Sequence, residues 1–261
     1  MALKYFTAGN MKITAPGVRV FTLPAVECCP GSTPCCRATC YALPPQTIRP
    51  SVRAWRARNY QLSLLDDFVD RIVADLAQPV GHSRKMHAEG RPARTVKDYD
   101  PSRFVRIHES GDFYSQTYLD KWFEICRRLP SILFWCYTRS YMLDFSQKPR
   151  NLKIRYSLDP STVHPAPAGL PTCIINYPPT PGFVQCPGTK SKSIKCVKDC
   201  DLCMRTDANI LFPPHGTLAK YFAQFTGKPM PVKVKEKSEY DFKWRRGVKR
   251  PITEIPRAYR P

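Results

Sequence analysis

The chain has 261 residues, of which 43% are apolar and 24% charged, a composition that excludes wholesale disorder and a length that can bury a core. Lys and Arg number 41 against 21 Asp and Glu, so the net charge of +20 predicts either an acidic partner such as nucleic acid or a solvated basic surface. No apolar run approaches the roughly 18 residues of a membrane span, so we expect no membrane partner. Residues 1–14 carry no signal-peptide pattern, so we expect the protein to stay in the reducing cytoplasm.

The apolar pattern predicts strands that alternate with helices. Six candidate strands are rich in β-branched and aromatic residues, at 17–23, 103–108, 132–138, 152–158, 172–177 and 209–212. The pattern also predicts a basic helix over 51–60 and two amphipathic helices, one over 64–76 capped by Ser63 and one over 115–129. Residues 79–101 are polar and predict a surface loop. The strand–helix–strand order predicts an α/β fold, namely a partial or irregular parallel barrel of the TIM-barrel kind with outer helices.

The C-terminal part of the chain is basic and interrupted by prolines, without a strong core pattern. We therefore divide the chain into an α/β domain at 1–227, which holds the Cys-rich loops, and a basic arm at 228–261. Within the arm, Phe242 and Trp244 alternate with the cations of the run KWRRGVKR at 243–250. These rings could stack on bases while the cations meet phosphates, or they could pack on the domain.

Twelve cysteines are unexpected in a reducing compartment, where disulfides do not persist, so their clustering indicates metal or redox chemistry. Two groups each begin with Cys-Pro-Gly, a turn that lets thiolates converge on one point. The first group is Cys29, Cys36 and Cys40, and the second is Cys186, Cys196, Cys200 and Cys203. An iron–sulfur cluster, [4Fe-4S] in type, is favoured because only Cys200 and Cys203 have the Cys-x-x-Cys spacing usual in zinc sites. Zinc is the alternative metal, and the spacing leaves open whether the two groups serve one centre or two.

The other five cysteines are predicted to be packing residues. Cys28 and Cys35 neighbour candidate ligands in the first loop, and Cys126, Cys136 and Cys173 lie on apolar elements. Small thiols in such positions fill space as apolar side chains do.

Polar residues follow three of the predicted strands at their carboxyl ends, where parallel α/β folds build their active sites. We expect these residues to converge on one site, with proton-transfer groups beside a turn that binds a cofactor. The predicted catalytic residues are Glu109, Asp112, Arg139 and Asp159. The predicted cofactor-binding residues are His108, Ser110, Gly111 and Ser157. The alternative is a set of separate turns and helix caps, and His215, after the last strand, is more often neither ligand nor base.

Four segments together resemble the bacteriophage "gene product 88" family, over roughly residues 18–215. They are CPGSTPCCRATCYA at 29–42, RIHESGDFYSQTYLDKW at 106–122, FWCYTRS at 134–140 and the cluster of Cys196, Cys200 and Cys203. The resemblance implies a phage protein that acts in the host cell, and the family carries no firmly assigned activity.

A second, weaker likeness is to radical S-adenosylmethionine enzymes, because the first strand leads into a three-cysteine loop and Glu109 to Asp112 form the turn after the second strand. That likeness implies a [4Fe-4S] cluster with one open iron and S-adenosylmethionine as cofactor, although six and three residues separate the cysteines where that family has three and two. The leading hypothesis is an iron–sulfur phage protein with radical or redox chemistry on a nucleic-acid-related substrate. The alternative is a zinc-stabilised nucleic-acid-binding protein without catalysis.

Overall fold

A computed structural model describes residues 5–7, 18–78, 103–176, 180–190, 194–214 and 219. The predicted basic arm at 228–261, the loop predicted at 79–101 and His215 lie outside the described residues. Among the helices that are described, none is both long and apolar enough to cross a membrane.

Seven strands form one sheet in which every neighbouring pair is parallel, which confirms the predicted α/β class. The strands are β1 (Arg19–Phe21), β2 (Phe104–Ile107), β3 (Leu133–Thr138), β4 (Leu152–Leu158), β5 (Thr172–Ile175), β6 (Val184–Gln185) and β7 (Ile210–Phe212). Their order in the sheet is β1-β2-β3-β4-β5-β7-β6, so β1 and β6 are the two edges of an open sheet. An open parallel sheet agrees with a partial barrel. All six predicted strands are present, and the two-residue strand β6 was not predicted.

Seven helices accompany the sheet within the described residues. They are α1 (Pro34–Ala38), α2 (Leu43–Ile48), α3 (Pro50–Leu64), α4 (Phe68–Ala77), α5 (Gln116–Arg128), α6 (Pro187–Lys190) and α7 (Leu202–Arg205). The prediction that Ser63 caps a helix is wrong, because α3 begins at Pro50 and runs past Ser63, whose hydroxyl donates to the Tyr60 carbonyl. The predicted start of α5 is confirmed, since the Ser115 hydroxyl accepts the Tyr118 N–H at 3.2 Å.

One face of the sheet packs against α4 and α5 through an aromatic core. Phe21 of β1 contacts Phe68 of α4 and Trp122 of α5 edge-on, with ring centroids 5.9 and 5.3 Å apart. Cys126 and Cys136 are buried in this core, as predicted for packing residues. This face therefore supplies most of the apolar burial that stabilises the sheet.

The opposite face is covered by the segment that carries the second cysteine group. Trp135 of β3 and Cys173 of β5 pack there against Val197 and Met204. Arg155 of β4 is fully buried on this face, and its guanidinium donates to three carbonyls. The acceptors are Cys203, Thr206 and Ala208, at 2.6, 2.7 and 3.0 Å. One side chain thus satisfies the carbonyls at the end of α7 and holds the segment on the sheet.

Replacing Arg155 by Ala should lower the free energy of unfolding by about 3 kcal/mol, because three buried carbonyls lose charged donors. Urea denaturation of metal-free protein measures the change. Arg150→Ala, which removes an exposed Arg a few residues earlier, is the matched control and should change the unfolding free energy by about 0.5 kcal/mol or less. Equal stability of the two variants would contradict this role of Arg155.

Candidate functional site

The Cys-rich loop after β1 is bound to the turn after β2 by backbone hydrogen bonds. The Leu23 N–H donates to the Ser110 carbonyl and the Asp112 N–H donates to the Cys28 carbonyl, both at 2.8 Å. Gly111 has φ +79°, and a Cβ there would lie 2.5 Å from the Leu23 Cβ. Only glycine fits this crossing, so the first cysteine group is fixed against the carboxyl end of β2.

The same loop reaches the ends of β3 and β4. Gly31 lies so close to β3 that a Cβ on it would be 1.8 Å from the Arg139 carbonyl oxygen. Thr33 caps α1, with its hydroxyl accepting the Cys36 N–H at 3.0 Å and donating to the Asp159 carboxylate at 2.6 Å. Cys36 is therefore positioned by a side chain bonded to the end of β4.

The Asp112 side chain is hydrogen-bonded to the backbone of Arg139 at the carboxyl ends of the strands, here called the carboxyl edge of the sheet. The Asp112 carboxylate accepts the N–H groups of Phe113 and Arg139 and the Thr138 hydroxyl, each at 2.7 Å. Burial raises the pKa of Asp112 to about 6, against the opposing effect of these three hydrogen bonds. A buried carboxyl that titrates near neutrality can exchange a proton at physiological pH.

Arg139 forms an ion pair with Asp159 at 2.9 Å and donates to the Ser157 carbonyl at 2.8 Å. The two side chains are only 11% and 1% exposed. The structure thus brings Asp112, Arg139 and Asp159 together, as expected from the strand ends. Their polar atoms are bonded to one another and to the Cys-rich loop, so they also hold that loop in place.

The other candidates of the polar site lie in different surroundings. The backbone carbonyl of Glu109 accepts a hydrogen bond from the Tyr41 hydroxyl. The backbone N–H of Glu109 donates to the Phe21 carbonyl of β1. The Ser157 hydroxyl lies 3.2 Å from the Cys173 sulfur. The Ser110 hydroxyl is buried and has no hydrogen-bond partner in the described part of the chain. Of the eight predicted residues, Ser110 and His108, through its Nδ1, therefore each have a buried polar atom without a partner among the described residues.

His108 points its ring into the aromatic core, where its Nε2 lies 2.9 Å from the Tyr118 hydroxyl and its ring centroid 4.7 Å from that of Phe113. Its φ of 62° turns the chain at the end of β2. Burial, together with the nearby Arg106 charge, lowers the pKa of His108 to about 3. The His108 ring is thus neutral, and its packing in the aromatic core supports the turn after β2.

The three thiols of the first group are electrostatically coupled to one another. Burial raises the pKa of Cys29, and the negative charges of Asp112, Cys36 and Cys40 raise it further. Burial also raises the pKa of Cys36, with Arg139 opposing and Cys40 adding to the shift. These interactions require proximity, so Cys29, Cys36 and Cys40 lie together beside the polar residues of the carboxyl edge.

The four thiols of the second group form a separate set on the covered face of the sheet. Burial raises the pKa of Cys196 to about 12, with Arg106 lowering it and Cys203, Cys186 and Cys200 raising it. The Cys203 sulfur accepts a hydrogen bond from the Tyr137 hydroxyl at 3.0 Å. The two groups therefore lie at two places on one sheet.

Backbone N–H groups act on two thiols of the second group. Burial raises the pKa of Cys186 and Cys200, and the N–H groups of Gly188 and Thr189 oppose the rise at Cys186, as the Leu202 N–H does at Cys200. The Thr189 N–H itself donates to the Cys186 carbonyl at 3.0 Å. Such donors stabilise sulfur in its charged form. Turns of this kind are therefore suited to thiolate ligands, which are the form of cysteine that binds metals.

All twelve cysteines are free thiols. As the side chains stand, no set of three or more Cys, His, Asp or Glu residues among the described residues is arranged to hold a metal ion. The cysteines of the two groups are thus free thiols, and their role as ligands stays a prediction.

Thr33, Arg106 and Tyr137 are site residues that the sequence analysis missed. The pattern of Thr33 before Pro34 is a usual helix start and could have indicated the cap. No sequence signal shows that Thr33 reaches Asp159, 126 residues away, or that Tyr137 meets Cys203.

The profile of a family described as Gene product 88 matches residues 3–172. The chain is 30% identical to the Gene 88 protein of Mycobacterium phage L5 over 207 residues, which cover 70% of this chain and 81% of that protein. It is 33% identical to the Gene 88 protein of Mycobacterium phage D29 over 141 residues, or 52% of this chain and 53% of the relative. No solved structure matches. The profile covers the first cysteine group and the polar edge, whereas the second cysteine group follows the matched residues.

The stability of the metal-free protein should depend on the protonation of His108. Its folded pKa of about 3 lies below its unfolded value of about 6.5, so the native state binds fewer protons and stability falls as pH drops below about 6.5. The expected slope is up to about 1.4 kcal/mol per pH unit. Urea denaturation between about pH 7 and pH 4 should show a shallower slope for His108→Asn, which tolerates the positive φ without titrating.

Asp112 supplies a control of opposite sign in the same pH range. Its folded pKa of about 6 lies above its usual value, so the native state binds more protons and gains stability as pH falls. Asp112→Asn should therefore steepen the acid loss of stability. Identical pH profiles for both variants and the parent protein would contradict these assignments.

Proposed function

The chain belongs to the gene product 88 family, and we propose that it is an iron–sulfur protein that works in the reducing cytoplasm of the phage host. The observation that carries this proposal is the spacing of seven cysteines in two groups, within each of which the thiols raise one another's pKa. Thiolates are the ligands that iron–sulfur clusters and zinc prefer. The free state of all the cysteines accords with a reducing compartment.

The first group suits a metal centre that keeps a position open for chemistry. Three thiolates from Cys29, Cys36 and Cys40 would leave one iron of a [4Fe-4S] cluster without a protein ligand. The carboxyl edge of a parallel sheet is where α/β enzymes bind substrates, and Asp112 and Arg139 lie beside these thiols there. The raised pKa of Cys29 means that cluster assembly would release protons.

The second group suits a closed centre. Cys186, Cys196, Cys200 and Cys203 supply four thiols, and backbone N–H groups oppose the rise that burial causes in the pKa of Cys186 and Cys200. A four-thiolate site fills the coordination of zinc or of a second cluster and leaves no position for substrate. We therefore assign it a structural or electron-transfer role.

S-adenosylmethionine is the cofactor that we propose for the open position. Cys29, Cys36 and Cys40 would hold the cluster that binds this cofactor, and the pair would supply radical chemistry at the carboxyl edge. The turn at Ser110 and Gly111 supports cofactor binding, because the Ser110 hydroxyl is a buried donor without a partner among the described residues. Asp112 would exchange a proton at the same edge, on a nucleic-acid-related substrate.

Protein purified without oxygen should contain iron and sulfide and absorb broadly in the visible range. Cys36→Ser should remove most of the iron of the first group and leave the second group loaded, because the two sets of ligands are separate. Cys200→Ser should do the converse. Iron, sulfide and zinc analysis with visible spectra measures each loss.

Cys35→Ala is the matched control, since Cys35 is a buried neighbour of Cys36 that packs in the loop. It should keep the parental iron content. Full metal retention in both Cys→Ser variants would refute the ligand assignment, and a colourless protein that contains zinc would establish the zinc alternative.

A zinc-stabilised nucleic-acid-binding protein without catalysis is the second candidate function. The observation that favours it is a basic stretch of sequence around the first group, because residues 28–65 contain five Arg and no Asp or Glu. Four of these cations are exposed, namely Arg37, Arg49, Arg53 and Arg58. Exposed cations of this kind attract phosphate backbones.

If this surface binds nucleic acid, the association constant should fall steeply with salt, with a log–log slope of about −0.9 per phosphate contact on duplex DNA. Replacing Arg49, Arg53 and Arg58 by Gln should flatten the slope, and so should the same change at the five cations of 243–250 in the arm. Arg150→Gln, an exposed Arg elsewhere, is the control. Failure of the protein to bind DNA or RNA at low salt would end this candidate and the nucleic-acid-related substrate with it.

A further inference from the structure

Arg106 is a buried cation on the covered face of the sheet, where it contacts an aromatic ring. It lies in β2 and is 7% exposed. In the part of the chain that the structure describes, its guanidinium forms no ion pair, and its buried Nε has no hydrogen-bond acceptor. Arg155 on the same face has three carbonyl acceptors, and Arg139 at the edge has Asp159. Arg106 therefore differs from Arg155 and Arg139.

The surroundings of Arg106 connect it to the second cysteine group. Its guanidinium carbon lies 5.4 Å from the centroid of the Tyr137 ring, in cation–π contact. The hydroxyl of the same tyrosine donates to the Cys203 sulfur at 3.0 Å. Cys196 packs in the same apolar cluster as Tyr137, and the positive charge of Arg106 lowers the pKa of Cys196 against the effect of burial. One aromatic side chain thus contacts both the Arg106 guanidinium and the Cys203 sulfur.

A buried charge without a partner is costly, and the contact with an aromatic face compensates it only in part. Tyr41, Tyr137, Cys196 and Glu109 favour the charged form of Arg106 and oppose the effect of its burial, although Arg106 forms no ion pair with a described carboxylate. A further negative group on this face would compensate the charge at closer range. Four thiolates around one Zn²⁺, or around a [4Fe-4S]²⁺ cluster, carry a net charge of about −2. The zinc site and the cluster both carry a net negative charge, so either of them would compensate the charge of Arg106.

We propose that Arg106 is the counter-ion of a metal–thiolate centre formed by Cys186, Cys196, Cys200 and Cys203, with Tyr137 as the bridge between them. The inference rests on the metal centre proposed above for these four cysteines. Arg106 is a positioning residue, because it stabilises the charged ligands without binding the metal itself. Its effect on stability should reverse with metal occupancy, being favourable in the loaded protein and neutral or unfavourable in the metal-free protein.

The test measures cobalt affinity of the second group alone. All variants are made in full-length Cys36→Ser protein, and Co²⁺ is titrated without oxygen while thiolate-to-cobalt absorption is followed against a competing chelator. Arg106→Gln should weaken Co²⁺ binding about 10- to 100-fold, as loss of an outer-shell partner does at other metal sites. Arg106→Lys keeps the charge and should recover part of this loss. Lys153→Gln removes a cation from the same face whose partner is Asp207, and should leave the affinity within about 2-fold.

Urea denaturation of the metal-free variants supplies the second measurement. Metal-free Arg106→Gln should unfold at the same urea concentration as the parent or a higher one, because an unpaired buried charge is gone. A metal-free variant that is much less stable, or does not fold, would show that Arg106 supports the sheet itself and would overturn the inference. Cobalt bound equally tightly by Arg106→Gln and the parent would also overturn it while leaving the metal centre intact. A parent protein that binds no Co²⁺ at these four cysteines would refute the metal centre and the counter-ion together.

Discussion

The buried ion pair between Arg139 and Asp159 is the interaction on which the carboxyl edge of the sheet depends. Through Asp159 it holds Thr33, which caps the short helix that carries Cys36. Through the Arg139 backbone it is continuous with the Asp112 carboxylate and the turn after β2. A buried ion pair offsets the cost of its desolvation only when its remaining lone pairs and N–H groups are also hydrogen-bonded. Here the Cys-rich loop contributes such a bond, from the Thr33 hydroxyl to Asp159. The Cys-rich loop and the strand ends therefore stabilise each other.

The two faces of the sheet are built on different principles. The face toward α4 and α5 is aromatic, with Phe21, Phe68 and Trp122 in edge-on contact. The opposite face carries Arg106 and Arg155, which makes it a poor place for simple hydrophobic burial. It is covered by a segment of short turns whose carbonyls and sulfurs face those cations. The chemistry that we propose for this protein would take place at the charged face and the carboxyl edge.

Much of the fold could be predicted because its signals are local. The β-branched runs located six strands, and the period of α5 together with Ser115 located that helix and its start. Ser63 misled the analysis because a capping residue also occurs inside helices, where its hydroxyl bonds a preceding carbonyl. The strand β6 has two residues and therefore no period to detect.

The site was harder to predict because it depends on contacts distant in the sequence. Spacing identified both cysteine groups, yet it could not tell that one lies at the sheet edge and the other on a face. Asp112 and Glu109 are three residues apart in one turn, and only Asp112 bonds to the end of β3. Arg106 looked like one cation among 41, because burial without a partner is a property of the folded chain alone.

The strand order determines which parts of the sheet can form first while the chain is being synthesised. The last strand, β7, lies between β5 and β6, and β6 pairs with no other strand of the sheet. Cys186 follows β6 directly, so this cysteine can be seated only after residues 210–212 have left the ribosome and paired with β5. The first cysteine group needs strands only as far as Asp159, and it can be assembled earlier. Cotranslational folding from the N-terminus would therefore complete the two thiol sets in a fixed temporal order, the three-cysteine set first.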